Sequence, residues 1–305
     1  MTPCKNPLLL MALLVLALAT QGCTQSAPRP TASSTSQTGL AQCCTDMEDY
    51  PRWFVDVART IAPPLGTVLS HIAWRGGHLK SKQAAQDAIL AEIRPLDIVL
   101  VSSKGRKSGQ TIPGLFGHAA IYLGTRSELE KLGVWSLAEV RPHAAGIEAD
   151  RIFIEADAKG VHLSSPSVAL NTDRVVILRP SFASLARQRQ VARAYFDAIG
   201  TDFDFLFDVD SPDCTFCTEL IHRVMPELKL PVQEIYGVRT ILPDRVAVAA
   251  LRHESGLEFV DYIKADADTW RQASGQSLAD DIAATWSARR QQSGATTGSG
   301  NPDKR

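Results

Sequence analysis

Apolar and polar positions follow different rhythms in successive parts of the chain. Residues 8–19 are an unbroken apolar run, LLLMALLVLALA, with no period in it. From Thr24 to about Gln42 the chain is mostly Ser, Thr, Gln, Ala and Pro, a composition that buries too little apolar surface to order itself and reads as a tether. Between Asp46 and Arg94 the spacing turns helical. Trp53, Phe54, Val57 and Ile61 share a face, and the Ala/Gln/Leu-rich residues 82–93 give a further segment, with Pro63-Pro64 and Gly76-Gly77 as interruptions. Two or three helices are expected there. In the centre, residues 97–101, 119–123, 152–155 and 175–178 are short β-branched or aliphatic runs bounded by Gly, Pro and Asp, each predicting a strand. Helical patterns follow at 185–199, 216–224 and 244–251, while the Phe/Asp alternation of 202–210 reads as a strand with one wet face. From about Gln291 no period remains, and that tail is expected to be disordered. The pattern as a whole predicts an α+β core, a sheet packed on helices, behind an N-terminal helical extension.

Composition supports a buried core of full size, with 45% hydrophobic and 21% charged residues in 305. A formal net charge of -1 and the absence of a Lys/Arg-rich run argue against a nucleic-acid partner. Lys5 ahead of the apolar run makes residues 1–22 a signal peptide, since about a dozen apolar residues are too few to span a bilayer. The run ends near Gly22-Cys23, which resembles the bacterial lipobox although Thr20 stands where Leu is usual. That resemblance implies an exported protein, lipidated on Cys23 and anchored to the outer membrane facing the periplasm, with simple cleavage near Ala19 as the alternative.

In an oxidising compartment the remaining cysteines need assignments. Cys43 and Cys44 are adjacent, Cys214 and Cys217 form a C-x-x-C, and the sequence leaves their pairing open. Two segments carry chemistry. In Gly117-His118-Ala119-Ala120-Ile121-Tyr122-Leu123-Gly124, strand alternation puts His118, Ala120 and Tyr122 on one face and Ala119, Ile121 and Leu123 on the other. In Asp213-Cys214-Thr215-Phe216-Cys217-Thr218-Glu219-Leu220-Ile221, a helix beginning near Phe216, capped by Ser211 or Asp213, puts Cys217 in its first turn. There the positive end of the helix favours a thiolate. Leu220, Ile221 and Val224 share the Cys217 stripe and turn the sulfur toward the sheet. A buried structural cysteine would fit the same pattern.

The two segments together, with Asp97–Val101, Glu155-Ala156, Gly160-Val161 and Asp202–Phe205, resemble the YiiX/YebB/YaeF family of circularly permuted papain-like amidases related to NlpC-type murein peptidases. The resemblance runs from about Pro95 to Val224 and has histidine before cysteine. It implies a permuted papain-like fold with an antiparallel sheet, Cys217 as nucleophile, His118 as base, and Glu155 as the group that orients the imidazole, with His162 a competitor for that last role. Tyr122 is a candidate lining residue. The implied organisation is a tether over 23–45, a helical extension over 46–94, a hydrolase domain over 95–265, and a C-terminal helix and tail over 266–305. The implied substrate is an amide or acyl compound, possible classes being murein peptides and acylated lipids, and the implied chemistry uses no cofactor and no metal.

Rival readings follow from the same residues. The C-x-x-C suggests a thioredoxin-like dithiol, but lacks a clear βαβ context. His222 with Cys43 and Cys44 would be a weak zinc set, and calcium on the acids of 202–210 is weaker still. A silent envelope-binding protein whose Cys217 is locked to Cys214 is the alternative of a different class. Oligomeric state is not legible.

Overall fold

The computed structural model describes Leu40, Cys43, Cys44, residues 75–102 and residues 112–297, with the backbone alone for 292–297. The signal peptide, the lipidation site Cys23, most of the tether and the helix expected around Trp53 lie outside these residues.

A seven-stranded antiparallel sheet organises the domain. In chain order the strands are β1 (Ile98–Ser102), β2 (His118–Tyr122), β3 (Phe153–Asp157), β4 (Gly160–Ser164), β5 (Arg174–Pro180), two short pairs described below, β10 (Leu257–Ala265) and β11 (Trp270–Ala273). They lie side by side as β11-β10-β5-β1-β2-β3-β4. All five residues of β1 are buried, and in β2 His118 alone is not fully buried, so both faces are covered and the inner strands read as apolar runs. The small pairs are β6 (Asp202–Phe203) with β7 (Cys214–Thr215), parallel, and β8 (Gln233–Ile235) with β9 (Val238–Thr240), antiparallel.

Eight α-helices complete the described fold: α1 (Gln83–Glu92), α2 (Arg126–Leu132), α3 (Ala144–Glu148), α4 (Pro166–Ala169), α5 (Leu185–Asp197), α6 (Cys217–Val224), α7 (Pro243–Leu251) and α8 (Gly275–Thr297). The start of α2 is a capping box, Thr125 with Glu128, and Gly133 closes it in the left-handed region. Helix α6 rests on β2 and β3, and α7 on β5 and β10.

The C-terminal part adds features that the sequence reading did not give. Strand β11 continues the sheet past residue 265, and α8 is tied to it by Asp281, whose carboxylate accepts from Arg174, Tyr262 and Lys264. Strand β10 escapes a period-two reading because its register shifts between Phe259 and Asp261, a bulge that breaks the alternation. The tail is also helical further than expected, to Thr297. Once Trp286 and Asp281 fix the first turns, extending the helix costs little per residue.

The strand reading of the Phe/Asp alternation needs correction. Asp202 and Phe203 alone pair as strand, and the chain then turns because the buried Asp204 carboxylate accepts the N–H groups of Leu206 and Asp208 at 2.8 Å each. Side-chain acceptance from the backbone two and four residues on competes with a ladder and wins.

Candidate active site

Helix α6 begins at Cys217 itself. Phe216, in extended conformation at φ -114°, is the N-cap, and neither Ser211 nor Asp213 serves. Glu219 supplies the missing cap by accepting the Phe216 N–H at 3.2 Å, while Thr218 Oγ1 donates to the Ile241 carbonyl at 2.7 Å and pins the first turn. Cys217 is buried, and as the first helical residue its N–H lies ahead of the helical ladder. Glu219 is wholly buried; burial pushes its carboxyl up to about 7, against the pull of Arg223 and the Phe216 N–H.

His118 opens β2, and Glu155 sits on β3 opposite Ala120, which makes them diagonal neighbours on one face. Glu155 Oε2 accepts from His118 Nε2 at 2.8 Å. The imidazole is also within hydrogen-bonding reach of Cys217, and with Nε2 committed to Glu155 its Nδ1 is the nitrogen left for sulfur. Burial works to lower the His118 pKa, but hydrogen bonding to Cys217 and to Glu155, with the charge of each, carries it well above its ordinary value. Burial likewise works to raise Glu155, yet His118 holds it down at about 2. The line Cys217–His118–Glu155 thus sets an imidazole supported by a buried carboxylate beside the sulfur, the arrangement of a nucleophile with its base.

The neighbouring candidates are placed differently. His162 faces Glu155 from β4, but its Nε2 stands 3.9 Å from Glu155 Oε1 and its Nδ1–H donates to the Gly160 carbonyl at 3.0 Å. Glu155 therefore contacts His118, and His162 does not replace it. Tyr122 does not join the site, since it is buried, packs on Phe153 and donates its hydroxyl to Glu128 at 2.7 Å. A phenol four residues along the strand from His118 found its partner in the α2 cap.

Cys217 is the free cysteine among the described residues. Cys43 and Cys44 are bonded to each other, and Cys214 is disulfide-bonded too. Cys217 is not bonded to Cys214 in the structure, and the zinc set that needs Cys43 and Cys44 has lost its thiolates.

A residue unnoticed in the sequence steers the histidine strand. Asp244, in the first turn of α7 and wholly buried, accepts the N–H groups of Leu115 and Phe116 at 2.8 Å each, and the Trp286 indole N–H at 2.7 Å. Gly114 makes that approach feasible: its φ is +109° and a Cβ there would lie 2.4 Å from the Asp244 carboxylate. An acid directly after Pro243 reads as an ordinary first-turn residue, so only its burial reveals the role.

The model of the permuted papain-like amidase family, YaeF/YiiX, C92, matches residues 92–278. The chain belongs to that family. This C92 chain therefore has the permuted papain-like fold, and its mixed architecture around a large antiparallel sheet agrees with it. Membership in the C92 amidases also carries a cysteine hydrolase chemistry in general terms. No curated protein and no solved structure gives a significant match.

Proposed function

We propose that this C92 member is a cysteine amidase of the bacterial cell envelope, exported and anchored through Cys23, with Cys217 as nucleophile. The observation that carries the proposal is the hydrogen-bonded line from Cys217 through His118 to Glu155. The thiolate attacks the amide carbonyl, and the Cys217 N–H at the open helix start donates to the oxyanion. His118, oriented by Glu155, gives its proton to the leaving amine. Water then adds to the thioester with His118 as base, releasing the acid and restoring the thiol.

An N-acyl amide suits the surroundings better than a charged murein peptide. Partly exposed Phe203, Phe205 and Phe207 pack edge to face, and Phe207 meets Phe216, the residue before Cys217, at 5.5 Å between ring centroids. That partly exposed aromatic cluster, packed on the residue before the nucleophile, offers apolar surface to an acyl chain. The test is labelling with an electrophilic probe followed by mass spectrometry, then hydrolysis of N-acyl amino acids beside murein tetrapeptides. Label on Cys217, lost in Cys217→Ala along with hydrolysis, is expected. Full hydrolysis by Cys217→Ala overturns the assignment, and cleavage confined to the peptides overturns the substrate class.

A further inference from the structure

Behind Glu155, on the side away from His118, the β3–β4 hairpin gathers a second set of donors. Glu155, Asp157 and His162 each present a ligand atom, and these atoms all lie within 4.8 Å of one another. The Ser164 hydroxyl also acts on the Glu155 carboxylate, helping to lower its pKa, without making a well-formed hydrogen bond to it. Glu155 Oε1 is buried, on a side chain only 6% exposed, and has no hydrogen-bond partner. His162 Nε2 points at it from 3.9 Å. Because a carbonyl can only accept, the bond from His162 to Gly160 O places the proton of the neutral ring on Nδ1, and this leaves the Nε2 lone pair facing the carboxylate. A metal-bound histidine typically makes this bond, donating its other N–H to a backbone carbonyl. Asp157 stands beside the same ring, its Oδ1 3.7 Å from Nδ1 and held by the Lys159 N–H at 2.8 Å, and its carboxylate reaches the proposed site from the hairpin side, within 4.8 Å of the other two ligand atoms. Asp157 and His162 are partly exposed, so an ion can enter from the hairpin tip.

We propose that Glu155, Asp157 and His162 bind one divalent transition-metal ion of the zinc class, and that the bound ion restrains Cys217 by competing with His118 for Glu155. One nitrogen and two carboxylate oxygens with a water in the fourth position are a donor set that zinc accepts. Two ligands about 2.1 Å from a tetrahedral ion stand roughly 3.4 Å apart, so the Glu155–His162 pair at 3.9 Å needs to close by about half an ångström and the Asp157 carboxylate, within 4.8 Å of the other two ligand atoms, by up to about 1.4 Å. A cation on Oε1 pulls the Glu155 carboxylate toward the hairpin and loosens the 2.8 Å bond from Oε2 that orients His118. Binding itself does not depend on catalysis. The restraint rests on the proposed role of Cys217.

The two parts are tested separately. The full chain carrying Cys217→Ala, stripped with a chelator, is titrated with zinc by calorimetry and with cobalt by absorption. One equivalent is expected, with cobalt bands free of sulfur charge transfer, and affinity falling by about tenfold or more in Asp157→Asn and in His162→Gln. Lack of binding at micromolar zinc, or binding indifferent to both substitutions in proteins with unchanged circular dichroism, overturns the site. With Cys217 present, zinc is expected to slow probe labelling by about tenfold, and Asp157→Asn to relieve it while labelling normally without metal. Zinc binding without any effect on labelling overturns the restraint. A protein that binds zinc but never labels at Cys217 refutes the amidase reading and leaves the site standing.

Discussion

Replacing Glu155 by Gln keeps the shape of the side chain and removes its charge, so it isolates the electrostatic support of His118. In the folded protein the Glu155 carboxyl is held at about 2, against an ordinary value of 4.5. At about 1.4 kcal/mol for each tenfold in acidity, this corresponds to roughly 3 kcal/mol of favourable coupling, net of the opposing burial. The bond is short, 2.8 Å, and the carboxylate is nearly inaccessible at 6% exposure, so solvent does little to screen it. Glu155→Gln is therefore expected to remove the charge that supports protonated His118 and slow alkylation of Cys217 by iodoacetamide about 100-fold near neutral pH. The assay is the alkylation rate across pH, read by mass spectrometry on the Cys217 peptide. In the native protein Glu155's contribution to stability is present above about pH 4.5 and is lost as pH falls toward 2, because its folded pKa is depressed. The raised pKa of His118 acts in the opposite sense, giving stability at low pH that fades as pH rises through the folded value. A reactivity–pH profile in Glu155→Gln within threefold of the parent would falsify the claim that Glu155 sets the state of His118.

Other consequences can be measured directly. Asp244→Ala strips the acceptor from two backbone N–H groups and the Trp286 indole, and is expected to cost about 3–5 kcal/mol in urea unfolding while loosening the approach to His118. A change below 1 kcal/mol would show that the carboxylate is dispensable. Trp286→Ala should destabilise by about 3–5 kcal/mol, because it empties a fully buried site under α8. For Glu219, whose carboxyl is raised to about 7, the folded state binds the proton more tightly than the unfolded chain. Stability is then highest below about pH 4.5 and declines by roughly 3 kcal/mol as pH climbs to 7, and Glu219→Gln should flatten that decline. Melting temperatures of the two proteins across this range that run parallel would count against it.

The sequence by itself determined the inner strands, the placement of Cys217 at a helix start and the order of histidine before cysteine. These are local facts: β-branched runs bounded by turn residues form strands, and apolar spacing after Cys217 forms a helix whose stripe faces inward. The order of motifs was enough for the family resemblance, and the family match agrees with it. What the sequence could not supply is every relation set by packing across distance. Ser211 and Asp213 are good capping residues, yet the cap comes from Glu219 downstream, because a buried N–H takes whichever acceptor the fold brings to it. The sequence favoured Glu155 for the orienting role but left His162 as a competitor. The β2–β3 register alone puts the carboxylate against His118, while the β3–β4 pairing turns His162 to its other oxygen. Asp244 is separated from Leu115 by 129 positions, so no local pattern could announce it. The state of Cys217 was likewise undecided by spacing, since a C-x-x-C permits a bond that only the positions of the other sulfurs forestall.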